Sequence, residues 1–190
     1  MIGGIGSGKS FIAKLFRCPV FNADKEVEVI YKKSRNCFKK LKKKLPKFVK
    51  TFPVRKKELI AAINANKDNL KKISSVVHPI VRQQMRKFLK KNRNEMMVIL
   101  DIPLLVENKL NKPGDILIFV KAKKHKILER IKKRENFNKE IVKKLKNNQT
   151  GLFTKMKLSN FVVDNSFPPS IMNKKIKFLK KKILDERSCT

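Results

Sequence analysis

The sequence predicts an α/β fold, a parallel sheet flanked by helices and interrupted by a mostly helical insertion, and three observations predict it. A glycine-rich stretch, Gly3 to Ser10, runs directly into residues with helical apolar spacing. Short apolar runs suited to strands alternate with longer runs of helical spacing, the mark of a doubly wound sheet. Asp24, Asp101 and Asn165 fall at the ends of apolar runs, and such sheets bind ligands outside the carboxyl ends of their strands.

The elements follow in order. Ile12, Ala13, Leu15 and Phe16 give Lys9 to Phe16 the spacing of a short helix. Pro19 to Asn22 reads as a strand, and Asp24 stands where an N-cap would, ahead of a helix carrying Val27, Ile30 and Tyr31. From Lys32 to Asn94 the texture is Lys-rich with helical spacing, as in Leu59, Ile60 and Ile63 and then Ile80, Val81, Met85 and Leu89. Met96 to Leu100, ending at Asp101, and Asp115 to Val120 are continuous apolar runs of the kind buried on both faces of a parallel sheet. Helices are expected over Lys123 to Lys133, Lys139 to Asn148 and Ile171 to Ile183, with a last strand at Phe161 to Val163 before Asp164 and Asn165.

Composition bounds the class. At 190 residues and 41% hydrophobic content the chain is one domain, or a core with an insertion, and can bury a sizeable core. No apolar run approaches the ~20 residues that span a bilayer, and the start lacks a secretory pattern, so the cytoplasm is the expected compartment. Cys18, Cys37 and Cys189 are far apart and never paired as CxxC, which argues against a disulfide framework or a zinc site. The 49 Lys and Arg against 15 Asp and Glu give a formal charge of +34, attractive to any polyanion. Only nine of the basic residues are Arg, aromatics for base stacking are scarce, and most of this charge reads as solvated lysine surface.

The chemistry begins at Gly3-Gly4-Ile5-Gly6-Ser7-Gly8-Lys9-Ser10, which fits the phosphate-binding pattern GxxxxGK[ST]. Glycines let successive N–H groups point at phosphates, and the helix that follows adds its positive end. Lys9 reaches the β- and γ-phosphates in such a loop, and the Ser10 hydroxyl ligates Mg²⁺. A plain glycine turn is the alternative, disfavoured by the full-length pattern and the helix behind it.

That loop, then Pro19-Val-Phe-Asn-Ala-Asp24, His78-Pro79-Ile-Val-Arg82 and Asp101-Ile-Pro-Leu-Leu-Val-Glu107, with Arg130, Arg134, Gln149 and Val163-Asp164-Asn165 beyond, resemble the dephospho-coenzyme A kinase family. The resemblance implies a P-loop kinase core (1–31 and 96–190), a helical acceptor-binding insertion (32–95) and a helical lid at about 130–157. It implies phosphorylation of the ribose 3′-hydroxyl of dephospho-coenzyme A by ATP with Mg²⁺; a monomer with no membrane and no specific nucleic-acid partner is expected alongside. ATP would be held by Gly4, Ile5, Gly6, Ser7, Gly8, Lys9, Ser10, Phe11 and Asn165, the last bordering the adenine. Asp24 matches the family's proposed base, and Lys9 with Arg130 or Arg134, or both, would meet charge on the γ-phosphate. His78, Arg82, Asp101, Pro103 and Leu104 would join Asp24 at the acceptor.

Each residue also has a simpler reading. Asp24 would serve as a helix N-cap, the two arginines as part of a basic helix face among Lys126, Lys132 and Lys133, and His78 as a structural residue. Phosphoryl transfer through a loose transition state asks little proton abstraction early, so Asp24 is expected mainly to orient the hydroxyl.

Departures from the family pattern are specific. Only Met1 and Ile2 precede the loop where the family has a first strand; either the reading frame begins elsewhere or the sheet loses ladder bonds and buried area. Asn22 replaces the first acid of Asp-Ala-Asp, Phe11 stands where Thr is common, and Lys56 where Arg is expected. Three rival readings remain at this level: another P-loop nucleoside or nucleotide kinase, a lysine-rich nucleic-acid-binding protein, and an inactive paralogue.

Overall fold

The computed structural model describes residues 1–102, 105–106, 110–132 and 151–188, so Pro103, Leu104, Glu107, Arg134, Gln149, Cys189 and the helix expected at 139–148 lie outside the described residues. The chain forms two compact units, one of Met1–Phe21 with Asn94–Thr190 and one of Asn22–Arg93. No described helix is long and apolar enough to cross a membrane.

The first unit is a mixed α/β body. It contains α1 (Lys9–Leu15), most of β1 (Val20–Asn22), β2 (Ile99–Asp101), β3 (Ile118–Lys121), α6 (Lys124–Lys132), α7 (Leu152–Lys157), β4 (Phe161–Asp164) and α8 (Pro169–Ser188). The described strands pair as β1 with β2 and, in parallel, β3 with β4, in a register that sets Ile118 beside Phe161 and Lys121 beside Asp164. Residues 1 and 2 bond to both pairs. The Met1 ammonium donates to the Leu100 carbonyl at 2.9 Å, the Ile2 N–H donates to Ile118 O at 2.9 Å, and Val120 N–H donates to Ile2 O at 2.8 Å. Burial of that ammonium, the largest influence on it, brings its pKa down to about 6.

The ladders are shorter than the apolar runs that predict them. Met96 is 80% exposed and β2 begins at Ile99, while Asp115 is exposed and β3 begins at Ile118. An apolar run marks what can be buried, whereas a ladder extends only as far as its neighbour strand supplies partners. The core forms where α1 lays Ile12, Ala13 and, just past its end, Phe16 against Val120 and Val163 of the sheet and Met172 and Ile176 of α8. Phe16 is 1% exposed, and burying a side chain of this kind contributes about 1.5–3 kcal/mol. Lys180 of α8 donates from Nζ to Phe16 O at 2.9 Å, placing a cation on the carbonyl end of α1.

The second unit is helical: α2 (Ala23–Lys33), α3 (Arg35–Lys44), α4 (Lys56–Ala65) and α5 (Asp68–Lys91). The texture change in the sequence begins at Lys32, in the last turn of α2, yet the whole of α2 falls in this unit, where it packs on α3 and α5. Cys37, Leu41 and Leu45, four residues apart, form the buried stripe of the Lys-rich α3 segment, and Ile73, Val76 and Val77 of α5 join the same cluster. Burial raises the Cys37 thiol to about 11 and the Tyr31 phenol to about 12. α5 continues through Pro79, whose ring lies on the exposed face and withholds one helical N–H there.

The N-cap of α2 is Asn22, not Asp24. Asn22 Oδ1 accepts from Lys25 N–H at 2.9 Å and Asp24 sits inside the first turn. The side chain that caps is the one in extended backbone just before the helix, and here the strand hands over at Asn22 (φ −106°).

Candidate active site

The glycine loop and the strand ends beside it bring seven of the expected residues together in the first unit: Ser7, Gly8, Lys9, Ser10, Asp101, Arg130 and Asn165. β2 delivers Asp101 at its carboxyl end, 3% exposed, and α1 delivers Ser10 in its first turn. The Ser10 hydroxyl donates to Asp101 Oδ2 at 2.5 Å. Lys9 folds over the loop, donating from Nζ to Gly3 O at 3.1 Å and Gly4 O at 3.0 Å. Gly4 and Ile5 are half-buried, Gly6 is buried, and Phe11 is exposed at 38%, so its ring adds nothing polar.

The far wall of the loop comes from α6 and the end of β4. Arg130 donates from one guanidinium nitrogen to Ser7 O at 3.1 Å and from the other to Asn165 O at 2.9 Å. Asn165 Nδ2 donates to the same Ser7 carbonyl at 2.8 Å. Asn165 is held in turn by its N–H on Lys121 O at 2.8 Å, which prolongs the β3–β4 ladder by one residue. Gly8 makes this approach possible: its φ is +91°, and a Cβ there would lie 2.1 Å from Asn165 Nδ2. Ser7 Oγ and Asn165 Oδ1 are buried with no hydrogen-bond partner among the described residues. Such groups typically cost about 1–3 kcal/mol each and concentrate where another demand overrides stability.

A hydroxyl and a carboxylate this close present the hard oxygen donors that Mg²⁺ takes, and Mg²⁺ is usually held by one or two such groups together with substrate phosphates. Among the described residues there is no group of three or more His, Cys, Asp or Glu that could hold a metal ion. The donor set therefore fits Mg²⁺, and Ser10 and Asp101 are the residues that could hold it.

Asp24, His78 and Arg82 belong to the second unit. Asp24 is exposed in the first turn of α2, and His78 and Arg82 are exposed one turn apart on α5. Partial burial of its ring, and then Arg82, lower the pKa of His78. Sequence reasoning missed two residues: Lys180, which caps the loop helix, and Lys155 of α7, only 2% exposed. Both sit in Lys-rich stretches, where nothing in the pattern separates a buried lysine from its solvated neighbours.

A loop that can wrap a polyphosphate, a lysine folded over it and an oxygen pair for a hard cation, set on an α/β core, are the parts of a nucleotide phosphotransferase site. The family model described as CoaE, dephospho-CoA kinase, matches residues 1–168. The chain is similar to a dephospho-CoA kinase of Wolbachia pipientis wMel, 31% identical over 171 residues and 87% of each chain. It is also similar to one of Bacillus thuringiensis subsp. konkukian, 31% identical over 172 residues, 87% of this chain and 86% of the other. Two solved structures share its fold: TT1252 from Thermus thermophilus, with TM-score 0.76, 27% identity and coverage of 97% and 94%, and a dephospho-CoA kinase from Campylobacter jejuni, with TM-score 0.64, 20% identity and coverage of 95% and 94%. The chain belongs to the dephospho-CoA kinase family, and is thereby a kinase of the final step of coenzyme A biosynthesis.

Proposed function

We propose that the chain transfers the γ-phosphoryl group of ATP to the ribose 3′-hydroxyl of dephospho-coenzyme A, as a cytoplasmic monomer with a P-loop core, a helical acceptor-binding insertion and a lid at about 130–157. The observation that carries the reading is the Ser10 hydroxyl on the Asp101 carboxylate, 2.5 Å apart beside the glycine loop, with Lys9 reaching over that loop.

The roles follow from the chemistry. Backbone N–H groups of Gly4 to Ser10 hold the α- and β-phosphates, and the Phe11 N–H continues the first turn. Lys9 leaves the carbonyls of Gly3 and Gly4 for the β- and γ-phosphates, exchanging two neutral acceptors for a charged one. Ser10 and Asp101 would hold Mg²⁺, which would supply Lewis-acid neutralisation of the phosphate charge. At the acceptor, Asp24 orients the 3′-hydroxyl and takes its proton as the new O–P bond forms and the bond from Pγ to the β–γ bridging oxygen breaks, releasing ADP. Arg134 adds charge at the γ-phosphate. His78, Arg82, Asp101, Pro103 and Leu104 hold the acceptor, and Asn165 serves the nucleotide through the glycine loop that its amide holds.

The test is direct. The purified chain, given ATP, Mg²⁺ and dephospho-coenzyme A, is expected to yield coenzyme A by mass, and Lys9→Ala to lose turnover by orders of magnitude while remaining folded. A chain that binds dephospho-coenzyme A and ATP but phosphorylates a nucleoside acceptor instead contradicts the reading.

A further inference from the structure

Two side chains from outside the glycine loop converge on one of its carbonyls. Ser7 O accepts from Arg130 at 3.1 Å and from Asn165 Nδ2 at 2.8 Å, so both of its lone pairs are engaged. Arg130 reaches at the same time to Asn165 O at 2.9 Å, which locks the two donors to each other. Asn165 is 1% exposed, and its amide serves the loop while its Oδ1 has no partner among the described residues.

The consequence lies on the other side of the peptide bond. The Ser7–Gly8 peptide is trans, so holding the Ser7 carbonyl toward α6 and β4 turns the Gly8 N–H the opposite way. A cationic donor on the carbonyl also polarises the peptide and strengthens that N–H as a donor. Resting on the reading of this loop as the ATP phosphate site, we infer that Arg130 and Asn165 are positioning residues that fix the Ser7–Gly8 peptide with its N–H presented to the nucleotide's phosphates. Neither acts on the γ-phosphate. Gly8 is the residue that permits the device, because a Cβ would meet Asn165 Nδ2 at 2.1 Å and the Arg130 guanidinium at 3.3 Å.

The loop's N–H groups hold the α- and β-phosphates, which ADP and ATP share. Loss of the device therefore weakens both nucleotides by the same factor, whereas loss of a γ-phosphate cation weakens ATP alone. Calorimetric titration with ADP and with ATP, each with Mg²⁺, is made on the wild type, Arg130→Ala, Arg130→Lys and Asn165→Asp. Asn165→Asp keeps the side-chain shape and replaces the donor facing Ser7 O with an acceptor. Arg130→Ala and Asn165→Asp are expected to raise both dissociation constants about 10- to 100-fold with the ATP/ADP ratio unchanged. Arg130→Lys, which keeps the charge without the fork, is expected to fall between them and the wild type, and guanidinium ion to restore part of the affinity of Arg130→Ala. A wild type that binds both nucleotides, with Arg130→Ala weakening ATP alone or Asn165→Asp leaving both affinities intact, overturns the inference and leaves the site reading standing. A wild type that binds neither nucleotide overturns the site reading and the inference with it.

Discussion

Replacing Gly8 with alanine separates two costs that the fold keeps distinct. Gly8 and Gly114 both have left-handed backbones, with φ of +91° and +84°. A side chain at either pays about 1–2 kcal/mol for that conformation. At Gly114 nothing lies within 4 Å of the new Cβ, so that is the whole cost. At Gly8 the Cβ falls 2.1 Å from Asn165 Nδ2, and the amide must leave the Ser7 carbonyl it bonds at 2.8 Å. Disrupting a buried bond of this kind adds about 1–3 kcal/mol, so Gly8→Ala should cost about 2–5 kcal/mol in all. Urea unfolding followed by circular dichroism, with ADP affinity measured alongside, reads both effects. Gly114→Ala should lose only the about 1–2 kcal/mol of its backbone conformation and no ADP affinity, while Gly8→Ala loses about 2–5 kcal/mol and at least about tenfold in affinity. Equal stabilities and equal ADP affinities for the two variants would refute the argument that Asn165 constrains the loop.

Other outcomes follow from the same structure. Tyr31, the sole tyrosine, and Cys37 are held neutral by burial, at about 12 and about 11. Raised acids stabilise fully below their unfolded values, so stability should fall as pH rises from 9.0 toward 11, with tyrosinate absorbance appearing together with unfolding. A tyrosinate signal at the ordinary phenol pH in a folded chain would contradict this. His78, a base with a lowered pKa, contributes stability that is present above 6.5 and lost as pH falls below it. Its NMR midpoint should lie under 6.5 and move partway back in Arg82→Ala, because burial, the larger cause, remains. Lys180→Met removes the donor on Phe16 O and should cost about 0.5–1.5 kcal/mol in thermal unfolding, less at high salt.

Much of the site could be read in the sequence because its parts are local. The glycine loop, Lys9, Ser10 and the helix behind them form one continuous segment, and Asp101 announces itself by ending an apolar run. What escaped depends on partners far along the chain. Nothing near Arg130 says that its fork spans the carbonyls of Ser7 and Asn165, residues 123 and 35 positions away. The choice between Asn22 and Asp24 as cap depended on where β1 ends, within two residues, and both types cap well. The strands are shorter than their apolar runs because residues such as Met96, 80% exposed, have no neighbouring strand among the described residues to pair with. α5 runs on through Pro79 because its buried stripe of Ile73, Val76 and Val77 anchors the helix ahead of the proline, whose own face is exposed.

In the proposed reaction the phosphoryl group leaves a triphosphate held by the amino-terminal loop and arrives at one particular sugar oxygen. Phosphorus NMR of the product formed from ATP and dephospho-coenzyme A locates that group. The account predicts a single new phosphomonoester coupled to the ribose 3′ hydrogen, formed by the wild type and absent with folded Lys9→Ala. A phosphate at another position, or product formed equally well without the Lys9 ammonium, would contradict it.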